Sequence, residues 1–218
     1  GFARLASYEE LMELNEFYRN DRKPEIAVKY LETAYLRDEN NFDLLKKLAE
    51  TFEIIGNNPK ATKYYKKLIL LSFDNGSYEQ AVYYCNKLIN LSSTDSFPYE
   101  KLLEFYIEQE EPSEKEKSVP IGKQLIEIYR SLGNYEDSEK TCQKLLSGFP
   151  TDISLYQSMV NILIDSERID EAIDEYEKIE NIIINNEPDE NSREKQLYEI
   201  YTKMLSLDKN REDVRKRM

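Results

Sequence analysis

Two cysteines and several adjacent carboxylates are the side chains here whose types could do chemistry. Cys85 and Cys142 lie far apart with no CxxC spacing, and a zinc site or disulfide framework needs more thiols or histidines than this. The 218 residues include no histidine, which removes the commonest general base, the commonest metal ligand and the usual partner of a serine or cysteine nucleophile. Glu110-Glu111 and Asp170-Glu171 are neighbouring carboxylates. Acid–base work would require a pocket that raises one pKa by desolvation. A connector and a helix start leave both pairs in water, where an acidic first turn suits the helix dipole. The chain is therefore expected to be no enzyme and to carry no metal site or cofactor. Cys85, on the stripe Ala81/Cys85/Leu88, reads as a buried small hydrophobe, and so does Cys142. Tyrosine is abundant, with 17 copies, and Tyr64-Tyr65 and Tyr83-Tyr84 stand together. Adjacent helical residues diverge by about 100°. One ring of each pair is thus expected in the core and its neighbour towards the rim or another helix, most of them buried and the exposed remainder suited to an interface.

The elements that must position these residues are helices. Gly (6) and Pro (7) are scarce, too scarce for a sandwich that turns every eight to twelve residues. Hydrophobic residues at 40% are too many for a disordered chain. The longest apolar run, Leu68-Ile69-Leu70-Leu71, is far short of the roughly 18 residues a membrane span needs, so no direct membrane insertion is expected. A net charge of −13 argues against DNA or RNA, whose phosphates bind clustered Lys and Arg, and against anionic lipid surfaces. Gly1 reads as an added residue, and the basic tail 211–218 stops without a helix terminator. Flanking sequence with an anchor or second domain would then lie outside this window. A cytoplasmic location is expected, or a periplasmic or membrane-associated one if an anchor precedes the segment.

An internal period sets the architecture. The segment Leu125-x3-Tyr129-x3-Gly133-x-Tyr135-x2-Ser138-x3-Cys142-x2-Leu145-x4-Pro150 recurs 34 residues on as Met159, Leu163, Glu167, Ile169, Ala172, Tyr176 and Ile179. In the N-terminal half, Leu11, Leu14, Tyr18, Ala27, Leu31 and Ala34 recur at the same distance as Leu45, Leu48, Phe52, Ala61, Tyr65 and Leu68. Ala27, Ala61, Ser138 and Ala172 are small where two antiparallel helices must approach. A lone hairpin of this size cannot bury its apolar face, so neighbours must stack. Most of the chain resembles the tetratricopeptide repeat, in degenerate copies. Tyr129, Gly133, Tyr135, Cys142 and Pro150 carry the best one, and Ala172 with Tyr176, Ala61 with Tyr65, and Ala27 with Leu31 carry the others. Cys142 replaces a usual aromatic.

The resemblance implies an all-α, right-handed superhelical solenoid of about six antiparallel helix pairs. It is expected to be a single domain over 1–218, with N-terminal repeats over 5–73, an irregular middle over 74–118, C-terminal repeats over 119–184 and capping helices over 192–217. Helices are expected near 5–19, 24–37, 42–55, 59–73, 78–91, 97–109, 119–132, 135–147, 152–165, 169–184, 193–207 and 210–217. Ser7-x-x-Glu10 and Ser77-x-x-Gln80 are capping-box patterns, and Pro24, Pro59, Pro98 and Pro120 fit first turns. The middle breaks the register, since Ala61 and Ser138 are 77 residues apart, two periods and nine more. Gly76-Ser-Tyr-Glu-Gln-Ala81 looks like a junction opening a second helix, twenty residues after Ala61. Either 77–91 is the first helix of a new pair, which strict alternation favours, or the helix around 63–73 serves two pairs. The charged, Pro112-broken stretch 108–118 reads as an enlarged surface loop, and 185–191 as a loosened connector.

In the resembled family the first helix of each pair lines a concave groove. The matching places here are Glu9, Met12, Glu16 and Arg19, then Asp43, Lys46, Glu50 and Ile54, then Lys123, Glu127 and Arg130, and finally Ser154, Gln157 and Asn161. This implies a scaffold or adaptor binding a protein or peptide of basic or mixed charge, with charge steering the encounter. The basic clamp by which some relatives hold acidic peptide tails is missing, because Lys46-Lys47 is followed by Glu50 and Lys123 by Glu127. Self-packing of the solenoid within a larger assembly, membrane-associated or not, is the competing implication.

Overall fold

The computed structural model describes residues 6–218, and the described part is helical without a strand. Gly1 and the first residue of the expected helix 5–19 lie outside the described residues. Two compact units divide between Leu102 and Leu103. The first holds α1 (Tyr8–Asn20), α2 (Pro24–Tyr35), α3 (Phe42–Ile55), α4 (Asn58–Asp74), α5 (Tyr78–Leu91) and the opening turns of α6 (Ser96–Ile107). The second holds the rest of α6, a single turn α7 (Pro112–Lys115), then α8 (Ser118–Ser131), α9 (Tyr135–Gly148), α10 (Ile153–Asp165), α11 (Ile169–Asn186), α12 (Glu190–Leu207) and α13 (Glu212–Arg217). The expected loop 108–118 thus contains a helical turn, started by Pro112 where its missing N–H costs nothing. The expected connector 185–191 shrinks because α11 runs on to Asn186 and α12 begins at Glu190.

Local chemistry fixes these starts. Ser7 and Glu10 close the capping box, and Asn41, Asn57, Asn134, Asp152 and Asp189 each accept a first-turn N–H, worth about 1 kcal/mol apiece. The second expected box does not form. Ser77 begins α5 without a side-chain cap, and its own backbone N–H is already donated to the Ser72 carbonyl at 2.8 Å, so no orphan donor is left there for Gln80.

That bond belongs to a motif used five times. Arg22, Gly56, Gly76, Gly133 and Glu167 sit at φ of 56°, 77°, 69°, 71° and 62°, the left-handed conformation that ends a helix. After each, the next N–H reaches back five residues: Lys23 to Tyr18, Asn57 to Phe52, Ser77 to Ser72, Asn134 to Tyr129 and Arg168 to Leu163, at 2.8–2.9 Å. Five residues beyond each turn stand Ala27, Ala61, Ala81, Ser138 and Ala172, all fully buried. Across two of these approaches a buried hydrogen bond ties the helices, with the donor on opposite partners. The Asn15 amide donates to the Ala27 carbonyl and the Ser138 hydroxyl to the Ile126 carbonyl, each at 3.1 Å.

The Gly76 junction is therefore a true repeat junction, and the expectation from strict alternation is corrected. α4 packs antiparallel on both α3 and α5, as second helix of one hairpin and first helix of the next. Tyr65 and Leu68 take the places of Leu31 and Ala34 in the first role, and of Leu45 and Leu48 in the second. Both rings of Tyr64-Tyr65 are buried, and Tyr64 turns to other helices, one of the two expected directions. Tyr64 meets Tyr35 edge-on at 5.4 Å and stacks on Phe52 at 5.7 Å. The Tyr65 hydroxyl donates to Glu53 at 2.5 Å while its ring lies 6.1 Å from Tyr84. The other pair behaves as expected, with Tyr84 buried and Tyr83 53% exposed.

In the second unit α8 to α11 form two hairpins in regular register. Gly122 lets α8 and α9 close, since a Cβ there would lie 2.5 Å from Leu145 Cδ1. The turns make a direct test. Gly133→Ala forces a side chain into the left-handed region and should cost about 1 kcal/mol. Glu167→Gly relieves the same strain at the matching turn and should be neutral or stabilising by up to about 1 kcal/mol. Urea unfolding midpoints measure both, and a marked loss for Glu167→Gly would contradict the shared turn geometry.

Candidate functional site

The repeat separates two kinds of position on the first helix of each hairpin. On α3, Leu44, Leu45, Leu48 and Ala49 are fully buried, while Asp43 and Lys46 are exposed, Glu50 is half-buried and Ile54 is 65% exposed. On α1, Leu11 is buried, Glu9, Glu16 and Arg19 are exposed and Met12 is half-buried. The carboxylates act on nearby phenols. The Tyr8 hydroxyl is pushed up by burial and then by Asp43, Asp38 and Glu9. That of Tyr84 is raised by burial and then by Glu50, Tyr83 and Asp43. Glu9 and Asp43, from successive first helices, thus bear on one phenol.

In the second unit Gln157 and Asn161 of α10 are exposed, Ser154 is half-buried, and on α8 Lys123 is half-buried and Glu127 exposed. Arg130 is held inside the unit. Its Nη1 donates to both Glu127 oxygens at 2.7 and 2.8 Å, and its Nε and Nη2 donate to Asp165 of α10 at 2.9 and 2.6 Å. The structure therefore brings Arg130 and Glu127 together with Asp165. Its guanidinium ties α8 to α10 and is not a free contact. Asp165 stands one residue past one period from Arg130, which is the signal that the sequence held.

A further polar cluster has no local sequence signature. Glu180 on α11 is buried and receives the Tyr201 hydroxyl of α12 and Nη1 of Arg217 on α13, both at 2.7 Å. Burial, and then the Glu180 carboxylate, push the Tyr201 phenol up to about 12. Arg211 bridges Glu177 and Asp213 at 2.9 and 2.8 Å. These groups pin α13, whose Val214 is fully buried.

The chemistry-bearing types fall where their surroundings quiet them. Glu110, Glu111, Asp170 and Glu171 are exposed, and the hydrogen bond from Arg168 holds Glu171 below the usual carboxylate range. Cys85 and Cys142 are fully buried, as expected of small hydrophobes. Burial pushes both thiols up to about 12. Among the described residues no group of three His, Cys, Asp or Glu could hold a metal ion, and no helix is long and apolar enough to cross a membrane.

Paired helices in a fixed register, joined by one recurring turn, define an α-helical repeat protein. No family model matches the chain. A TPR repeat-containing protein of Methanocaldococcus jannaschii is 29% identical over 163 residues, 72% of this chain. The chain spans about a quarter of that relative, 24% of its length. Among solved structures, MamA is 20% identical over 80% of this chain and 91% of its own, with a TM-score of 0.31. A Podosopora anserina kinesin light chain with TPR-like repeats gives 11%, 83%, 97% and 0.43 in the same order. PilW, a type IV pilus biogenesis factor, gives 14%, 96%, 89% and 0.41. The chain is thus similar to a protein that carries tetratricopeptide repeats.

The two thiols give the prediction here. A protonated, enclosed thiol is a poor nucleophile. Cys85 and Cys142 should therefore resist a disulfide reagent such as Ellman's in the folded protein at neutral pH, and both should react within seconds once denatured. Rapid reaction of either in the native state would contradict the packing.

Proposed function

We propose that the chain is a non-catalytic protein-interaction scaffold, and that its first unit offers the exposed face of α1 and α3 to a protein or peptide of basic or mixed charge. The observation that carries this reading is the alternation along those helices. Positions that pack are fully buried, and the intervening Glu9, Glu16, Asp43 and Lys46 are held in water. Burial is the first cause of the raised Tyr8 pKa, and the contributions of Asp43, Asp38 and Glu9 that follow it support an acidic character there. Ile54, 65% exposed at the end of α3, adds an apolar contact of the kind that anchors an interface. In the second unit Gln157 and Asn161 are exposed and Lys123 half-buried, and Arg130 with Asp165 ties α8 to α10.

Solvated carboxylate pairs, two enclosed thiols and a sequence without histidine support the non-catalytic part of the reading. Acid–base work at these carboxylates would need a pocket that excludes water. The proposed face is tested by charge reversal. Glu9, Glu16 and Asp43 changed together to Lys should leave thermal unfolding within a few degrees of the parent. Partners recovered by the parent from its own organism's lysate should fall about tenfold, equivalent to ~1.4 kcal/mol, with a matching fall for the parent as salt is raised. Unchanged recovery by the triple variant, or a parent that recovers nothing, would contradict the proposal.

A further inference from the structure

We propose that Asn75-Gly76, in the turn from α4 to α5, is a site of spontaneous deamidation that the closed turn suppresses and that, once converted, keeps this hairpin from closing again. The site involves neither helix of the face proposed above. Asparagine is among the thermally labile side chains. In the other four turns Asp21, Ile55, Leu132 and Ser166 precede the left-handed residue. Nowhere else in the chain does a side-chain amide precede a glycine, whose amide nitrogen has no neighbouring side chain to hinder it. Asn75 and Gly76 are exposed, and nothing lies within 4 Å of where a Gly76 Cβ would stand. Water reaches the pair, and there is room beside it for a ring.

The chemistry needs only water. The Gly76 nitrogen gives up its proton and attacks Asn75 Cγ, so an N–Cγ bond forms while the Cγ–Nδ2 bond breaks. The side-chain amide leaves as ammonia, carrying that proton. Water then opens the five-membered imide at either carbonyl. One product is aspartate at position 75. The other is isoaspartate, in which the main chain runs through Cβ and Cγ and is one carbon longer.

The closed turn opposes the first step twice. Ring closure needs Asn75 Cβ and the Gly76 nitrogen nearly eclipsed about the Cα–C bond. Asn75 lies at φ −86° and ψ 0°, which leaves that nitrogen roughly a third of a turn from Cβ. The attacking N–H is also engaged, since Gly76 donates to the Phe73 carbonyl at 3.0 Å and Ser77 donates to the Ser72 carbonyl at 2.8 Å. Turning ψ of Asn75 towards the ring breaks both bonds, so reaction waits for the turn to open.

The same contacts decide what the products do. An added carbon between Asn75 Cα and Gly76 upsets the return of the Ser77 N–H to Ser72 that closes the turn. Ala81, fully buried five residues beyond the turn, then loses the aim that seats α5 on α4. Aspartate at 75 instead places a second carboxylate beside Asp74 at the end of α4, whose last turn holds no cation. That is the end at which a helix dipole disfavours negative charge.

Peptide mapping by mass spectrometry tests this on the whole chain, warmed in mildly alkaline buffer with and without guanidinium chloride. Position 75 should convert at least about tenfold more slowly in the folded protein than in the denaturant, where it should be the first asparagine to react. Protein converted in the denaturant and then returned to buffer should unfold at a lower denaturant midpoint than unconverted protein. Asn75→Gln, whose attack would need a larger ring, should keep its midpoint through the same treatment. Equal rates in folded and denatured protein would overturn the proposal, and so would another asparagine reacting first. Converted protein that regains the parent midpoint, or an Asn75→Gln variant that loses as much as the parent, would also overturn it.

Discussion

Two helices of a hairpin must come close enough for backbone to face backbone, and both units are organised around that approach. A side chain larger than alanine or serine at Ala27, Ala61, Ala81, Ser138 or Ala172 would hold the helices apart. The left-handed residue five places earlier aims the second helix at the first. Everything else follows from this closure. The aromatics of the next layer fill the space beside it, and the bonds from Asn15 to Ala27 and from Ser138 to Ile126 satisfy polar groups that the approach would strand. Where a copy departs from the pattern, the neighbour changes with it. Gly122 stands in the best copy where Leu11, Leu45 and Tyr156 stand in others, and Leu145 occupies the space it frees.

Sharing α4 between two hairpins is the main consequence of that rule applied to an irregular sequence. A stacked repeat normally alternates helices that face one neighbour with helices that face the other. α4 carries apolar and aromatic residues on both sides, with Tyr64 towards Phe52 and Tyr35, and Tyr65 and Leu68 fully buried beside them. Its 17 residues are long enough for both roles. The positions left over after packing are those that α1 and α3 present to solvent, Glu9, Glu16, Asp43 and Lys46 among them.

Much of this was legible in the residues. The period, the small residues at the crossings and the prolines in first turns placed twelve helices to within a few residues, because each signal reports a local backbone requirement. Gly76 followed by Ala81 carried the junction too, and only the assumption of strict alternation hid the shared helix. For Tyr64-Tyr65 a ring turned to another helix was legible as an alternative to the rim, but the partners that bury it, Tyr35 and Phe52, were not. For Arg130 a signal was present, since Asp165 stands one residue past one period from it. Its residue type suits a binding face, but the partner that holds it, Asp165, comes from the next repeat. The latch of Glu180, Tyr201 and Arg217 joins three helices whose sequences give no hint of each other.

If α4 belongs to both hairpins, α3, α4 and α5 cannot open separately, because freeing α5 uncovers Tyr65 and Leu68. Native-state hydrogen exchange measures this directly. Amides in the middle of the three helices, such as those of Phe52, Leu68 and Leu88, should exchange with opening free energies within about 1 kcal/mol of each other, as one cooperative unit. Exchange of the α5 amides at several kcal/mol below those of α3 and α4 would show α5 as a separate element docked on a completed hairpin, and would contradict the shared helix.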